Sequence, residues 1–268
     1  MWAPSGGLLV LSSDEGNVVV ASPTGKPLRR VTRDGQFPGW SPKGSALAFQ
    51  TFGLNRPAAI WTVGTDGRRE RRLTRLRLGE DYIRGPAWSP DGRRLAFGAC
   101  LRAVDEGQDC GELPRGIGVF TIRSDGTGRR RIAYGRCPDW SPAREIALLA
   151  RTSIAVVNGD GSGRRIVASG AASCPVWSPD GRSVAAEGAR SLLVVASGAR
   201  RARRVGKLPA LPRCCLFPKP PAPAWSPDGD RIAVVRAVDG RGATLAYRLY
   251  VVRVSDGRTR LLLTTPYS

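Results

Sequence analysis

The 268 residues of this chain contain no histidine, so acid–base chemistry here falls first to its carboxylates. That removes Ser-His-Asp and Cys-His nucleophilic sites, histidine-bearing zinc sites and histidine general bases. The carboxylates placed for acid–base work are Asp81 in "RLRLGEDYIRG" and Asp105, Glu106 and Asp109 in "CLRAVDEGQDCGELPRG". Two such carboxyls can serve as acid and base on a glycosidic bond when the fold sets their separation. Tyr82, Arg84, Arg115, Phe217 and Lys219 lie in the same two stretches or in the Pro-rich "LPRCCLFPKPPAPA", and they complete the candidate binding set. Gly25-Lys26 and Gly206-Lys207 lack the upstream glycine of a phosphate loop. The string "NGDGSG" at Asn158–Gly163 alternates oxygen-bearing side chains around glycine, as a calcium loop does, but no bidentate glutamate follows. It reads as a turn, and no metal or cofactor is expected.

The thiols point to a compartment. Cys100 and Cys110 bracket an insertion, Cys137 and Cys174 each stand three residues before a tryptophan, and Cys214-Cys215 are adjacent. Without a Cys-x-x-Cys knuckle, six cysteines fit oxidised pairs in a periplasmic or secreted protein, with a cytoplasmic location as the alternative. Cys100–Cys110 is the favoured pair. Cys137–Cys174 is harder to form, because a disulfide needs Cα atoms about 4.4–6.8 Å apart. No leader of charged then apolar residues follows Met1, which begins directly on a repeat, and no apolar run is long enough to span a membrane.

The elements that must position these residues are repeats. Trp-Ser-Pro recurs at Trp40, Trp88, Trp140, Trp177 and Trp225, and "WAPSGG" at Trp2 is a worn copy. A proline two places earlier (Pro38, Pro86, Pro138, Pro175, Pro223) recurs with it. Ser-Pro-Asp-Gly suits a tight hairpin turn, with proline pre-setting φ and glycine taking the left-handed position. Apolar runs follow ("LAF", "IAVV", then "IWTV", "GVFTI"), and a second turn such as Asp125-Gly126 leads into "RRIA"-like segments. That makes four antiparallel strands per unit, a to d, repeated six times, with no helical stripe. Radially repeated four-stranded units are propeller blades. The spacing therefore predicts an all-β, six-bladed β-propeller in a closed ring, a single domain over residues 1–268. The tryptophans, Trp2 included, occupy equivalent buried positions in it. The final "LLLTTPYS" is expected beside Trp2 as the run-in that closes the circle, and "WSPARE" at Trp140, lacking Asp-Gly, predicts a less regular hairpin.

"PAWSPDGRRLAF" and "PAWSPDGDRIAV" resemble the repeat of TolB-like β-propellers, which also occurs in the propellers of some peptidases. The resemblance spans the chain, although TolB itself carries an additional α/β domain before its propeller. Its partner contacts therefore do not carry over. Lyases of this type lean on histidine and metal, a branch from which this chain departs. The Gly-His and Trp-Asp marks of WD repeats are absent.

Strand direction puts the short a–b and c–d turns at one end and the variable b–c and d–a loops at the other, where binding residues concentrate on a rigid scaffold. The charge is strongly basic, 42 Lys and Arg against 22 Asp and Glu for a net +20. Much of it lies on strand d, the blade's outer edge, where charge protects against sheet-to-sheet pairing. No aromatic residues interleave with these clusters, which argues against a nucleic-acid partner. The sequence therefore reads as a monomeric, non-catalytic scaffold gripping a protein or an anionic envelope polymer through its loop face. The alternative is a histidine-free enzyme acting on a glycan through Asp81, Asp105 or Asp109.

Overall fold

Each Trp-Ser-Pro stretch folds as its residue types dictate. In the turn, the glycine N–H donates to the serine carbonyl: Gly92 to Ser89 at 2.8 Å, Gly181 to Ser178 at 2.9 Å and Gly229 to Ser226 at 2.9 Å. These glycines have φ of +68°, +68° and +73°, a region costly for residues bearing a Cβ. The serine Oγ accepts the N–H that opens the next strand, from Arg94 or Ser183 at 2.9 Å, and donates to Asp91 or Asp180 at 2.7 and 2.6 Å. The "WSPARE" copy is one residue shorter: Ser141 N–H donates to Glu145 O at 2.8 Å, and Arg144 takes the left-handed position at φ +66°.

The computed structural model describes residues 3–12, 16–51, 58–74, 84–100, 116–210, 222–239 and 245–266. The architecture is all-β, a six-bladed propeller. The first sheet contains β1 (Leu9–Ser12), β2 (Val18–Ala21) and β3 (Pro27–Thr32). The second contains β4 (Gln36–Trp40), β5 (Ala46–Thr51), β6 (Ala59–Gly64) and β7 (Arg71–Arg72). The third contains β8 (Arg84–Trp88), β9 (Arg94–Cys100), β10 (Ile117–Arg123) and β11 (Arg130–Tyr134). The fourth contains β12 (Arg136–Trp140), β13 (Glu145–Ala150), β14 (Ser153–Asn158) and β15 (Arg165–Ser169). The fifth contains β16 (Val176–Trp177), β17 (Ser183–Glu187), β18 (Leu192–Ala196) and β19 (Arg203–Val205). The sixth contains β20 (Ala224–Trp225), β21 (Arg231–Asp239), β22 (Leu245–Arg253) and β23 (Thr259–Pro266).

Two compact units divide the chain, Met1–Trp140 with Gly159–Ser162, and Ser141–Asn158 with Gly163–Ser268. In the first, β8 lies beside both β4 and β12; in the second, β20 lies beside β16. Among the described residues, which do not include Trp2, the first sheet has three strands. The stretch expected as a run-in is instead the fourth strand of the last sheet, β23, paired along β22.

The core is divided between neighbouring sheets. Trp40 packs with Val10, Val18 and Val20 of the sheet before it, and Trp177 with Ala147, Leu149 and Val156. Equal burial of the tryptophans does not hold. Trp40 and Trp177 are 7% exposed, whereas Trp88, Trp140 and Trp225 are half-buried. A ring at the end of strand a keeps one edge near solvent unless the neighbouring segments cover it.

Strand d does more than protect an edge. Arg71 Nη2 donates to Asp125 O at 2.5 Å, Arg130 to Asp160 O at 2.7 Å, and Arg203 to Val254 O at 2.6 Å. In each case an arginine of one sheet holds the c–d turn of the next. The turn glycines differ in how closely they press on their neighbours. A Cβ on Gly161 (φ +91°) would lie 3.0 Å from Ile132 O, while one on Gly198 (φ +81°) would meet nothing within 4 Å. Gly161→Ala should therefore destabilise the protein by about 2 kcal/mol or more and Gly198→Ala by about 1 kcal/mol. Urea unfolding of the two variants side by side checks this; equal losses would mean that close packing adds nothing to the φ cost.

Candidate functional site

Two apolar strands each contain one residue that does not belong in an apolar run: Glu187 closes β17 in "SVAAE", and Arg236 sits inside β21 in "IAVVRA". Both side chains are 0% exposed, and Arg236 Nε donates to Glu187 Oε2 at 2.9 Å. The guanidinium continues outward, with Nη2 donating to Gly188 O at 2.6 Å and Nη1 to Ala189 O at 2.8 Å and to Pro209 O. Gly188 and Ala189 begin the β17–β18 turn, and Pro209 lies on the d–a connection after β19. One cation thus ties together two segments of the loop end in the second unit. Ser173 Oγ accepts the Glu187 N–H at 2.9 Å.

Burial pushes the Glu187 carboxyl up to about 7, against the opposing pull of Arg236. Burial likewise works against the charge on Arg236, with Glu187 opposing it. Glu187 Oε1 is buried without a hydrogen-bond partner among the described residues. Counting from the strand residue opposite each tryptophan, Gln50 on β5 occupies the same position as Glu187. Gln50 Oε1 accepts the Gly85 N–H of β8 at 2.9 Å. The two side chains perform the same task, joining the end of strand b to the following sheet. Glu187 is too enclosed to touch a ligand; it positions the loop end.

The turn carboxylates are engaged locally. Asp160 of "NGDGSG" accepts from Ser162 Oγ at 2.7 Å and Ser162 N at 2.9 Å, and these bonds hold its carboxyl below the usual range. Asp180 and Asp228 are lowered by the serine hydroxyls of their turns. Among the described residues no three His, Cys, Asp or Glu side chains come together as a metal site.

Of the candidates chosen from sequence, Arg84 falls within a described strand, with its Cα opposite Gly98. Its side chain lies outside the described residues, as do Asp81, Tyr82, Asp105, Glu106, Asp109, Arg115, Phe217 and Lys219. Cys100, Cys137 and Cys174 are each disulfide-bonded; Cys110, Cys214 and Cys215 lie outside the described residues. Glu187 and Arg236 were not among the sequence candidates. Their signal was a charge within an otherwise apolar b strand, visible once the repeats are aligned.

No family model matches the chain. A protein named as the uncharacterized peptidase YuxL, from Bacillus subtilis, is 31% identical over 106 residues, which is 37% of this chain and 16% of that protein. A TolB structure from Agrobacterium tumefaciens aligns over 99% of this chain and 79% of its own, with a TM-score of 0.57 and 21% identity. An oligogalacturonate lyase from Vibrio parahaemolyticus aligns over 97% and 75%, with a TM-score of 0.71 and 14% identity. The TolB-like resemblance therefore holds at the level of the fold. The expectation of a non-catalytic protein is corrected: part of this chain is similar to a peptidase-named protein, and the same fold occurs in a lyase. Missing histidine removes particular mechanisms, and it does not remove catalysis by carboxylates or by groups outside the propeller.

Proposed function

We propose that this chain is a single propeller over residues 1–268 whose b–c and d–a loop end binds an acidic protein or an anionic envelope polymer in the periplasm or outside the cell. The observation that carries this reading is the Arg236 clamp. A buried cation with bonds to Glu187, Gly188, Ala189 and Pro209 is an expensive way to hold a loop end, and it pre-organises that end as a platform. The disulfides fit an oxidising compartment, and the net +20 steers acidic partners towards the chain.

The test is capture from a native envelope fraction, with the captured partner then titrated against variants. Arg84→Glu with Arg115→Glu should weaken binding by about tenfold. Lys43→Glu with Arg68→Glu, exposed and away from the loop end, should not. Equal losses from both pairs would leave only diffuse charge. Arg129 and Arg130 are unsuitable controls, since Arg129 lies over the Phe120 ring at 4.4 Å and Arg130 holds Asp160 O.

A second reading, favoured by the lyase and peptidase likenesses, makes the loop end a substrate site of an enzyme. Turnover of oligogalacturonate or of peptides that is lost in Asp105→Asn or Asp109→Asn would establish it.

A further inference from the structure

Near its loop end the sixth sheet sets two arginines side by side. Arg236 on β21 stands directly opposite Arg248 on β22, in one row-by-row register with Val234–Tyr250 and Ile232–Val252. Those four apolar residues pack against Ala185, Leu192, Val194 and Val205 of the fifth sheet, so both arginines belong to the face that meets that sheet, within one unit. Like charges directly opposite each other on a sheet repel. The equivalent row is small in other sheets. Four residues beyond the position opposite the tryptophan, the second sheet has Thr51 paired with Ala59 and the third has Ala99 paired with Gly118. The sixth has the two arginines there.

The two guanidiniums differ in what they hold. Arg236 directs its donors to Glu187, Gly188, Ala189 and Pro209. Arg248 makes no hydrogen bond or ion pair among the described residues, and its Nε is buried without a partner. Glu187 is paired with Arg236 alone. Asp239 is an odd step along β21 from Arg236, a position of the opposite face. Residues 206–221 and 240–250, which include the d–a connection and the b–c loop of this sheet, contain no Asp or Glu. A buried donor on an unpaired charge lowers stability, and such departures from local consistency are retained at functional sites.

We infer that Arg248 is a recognition residue whose planar fork takes one carboxylate group of the acidic partner, with Arg236 behind it adding to the positive field. A guanidinium on a rigid strand presents paired donors that match a carboxylate. Two guanidiniums against the one carboxylate of Glu187 leave a single positive charge, which a monovalent group balances and a divalent phosphate exceeds. Arg248 is half-buried, which leaves surface for a ligand to reach. This inference rests on the proposed binding role of the loop end and names the residue and the ligand group for it.

The test has two arms. In the unliganded full chain, Arg248→Met keeps the aliphatic stem and removes the unpaired charge, so it should raise the melting temperature by about 2–4 °C. A lowered melting temperature would mean that Arg248 holds the structure together, and it would overturn the inference. In the second arm, fluorescein-labelled hexaglutamate is titrated by anisotropy at about pH 8, where Glu187 is largely ionised, in about 0.15 M NaCl, which screens diffuse surface attraction. Arg248→Met should weaken binding by about tenfold, and Arg248→Lys, which keeps the charge and loses the fork, by nearly as much. Lys43→Glu with Arg68→Glu should leave binding unchanged. No binding to wild type, full affinity in Arg248→Lys, or stronger competition by inorganic phosphate than by unlabelled hexaglutamate would each overturn the inference. A captured partner that loses affinity in Arg84→Glu with Arg115→Glu but not in Arg248→Met would overturn it and leave the proposed function standing. A partner indifferent to all three arginines would sink both.

Discussion

Arg236→Met should lower the unfolding free energy by about 3–5 kcal/mol, measured by urea unfolding near neutral pH. The substitution removes the partner of Glu187 and leaves the carbonyls of Gly188, Ala189 and Pro209 without their donor. Glu187→Gln should cost far less, because its amide oxygen still accepts from Arg236 Nε. For an isolated buried ion pair, replacing both partners with apolar residues recovers most of the loss. Here Glu187→Met with Arg236→Met should recover only part, since the three carbonyls remain unsatisfied. Full recovery would show that the carbonyl bonds contribute nothing.

The same pair sets a pH dependence with a definite sign. Glu187 ionises near 4.5 when exposed and at about 7 in the folded chain. Between those values the folded state holds the extra proton. Its contribution to stability is therefore complete below 4.5, declines as pH rises through 7 and is flat above that. The turn aspartates act in the opposite sense and in a lower window: their depressed pKa values add stability that is lost as pH falls into the acid range. Wild type should thus lose stability from pH 5 to 7 relative to Glu187→Gln, as read from urea midpoints. Parallel curves for the two proteins would refute the assignment.

Reduction of the disulfides should cost about 2–5 kcal/mol in the folded protein and lower its melting temperature. Cys100 is fully buried, so reductant should act quickly only when a little urea opens the structure. Peptide mapping without reductant should recover Cys100, Cys137 and Cys174 as bonded species. Alkylation of all three in untreated native protein would remove the support for an oxidising compartment.

Turn chemistry was fully legible in the residues. Ser-Pro-Asp-Gly satisfies its own backbone through Ser89 and Asp91 or Ser178 and Asp180, so each turn forms from contacts five residues apart or fewer. The same locality made the strand pattern and the TolB-like fold readable, because each repeat states its hairpins in order. The site was less legible. The long loops that attracted attention for their carboxylates lie outside the described residues, whereas the Arg236 clamp joins residues 27 to 49 positions apart. No local rule marks Glu187 as the partner of Arg236 rather than as a solvated end of strand.

The sequence by itself determined the repeat, its turns and the six-bladed all-β architecture, since these rest on φ preferences and on alternating apolar residues within each unit. Only the tertiary structure decided which tryptophans are buried and that strand-d arginines such as Arg203 join neighbouring sheets. Burial and hydrogen-bond partners are properties of surfaces brought together from distant parts of the chain, and residue order encodes them only through the packing that it produces.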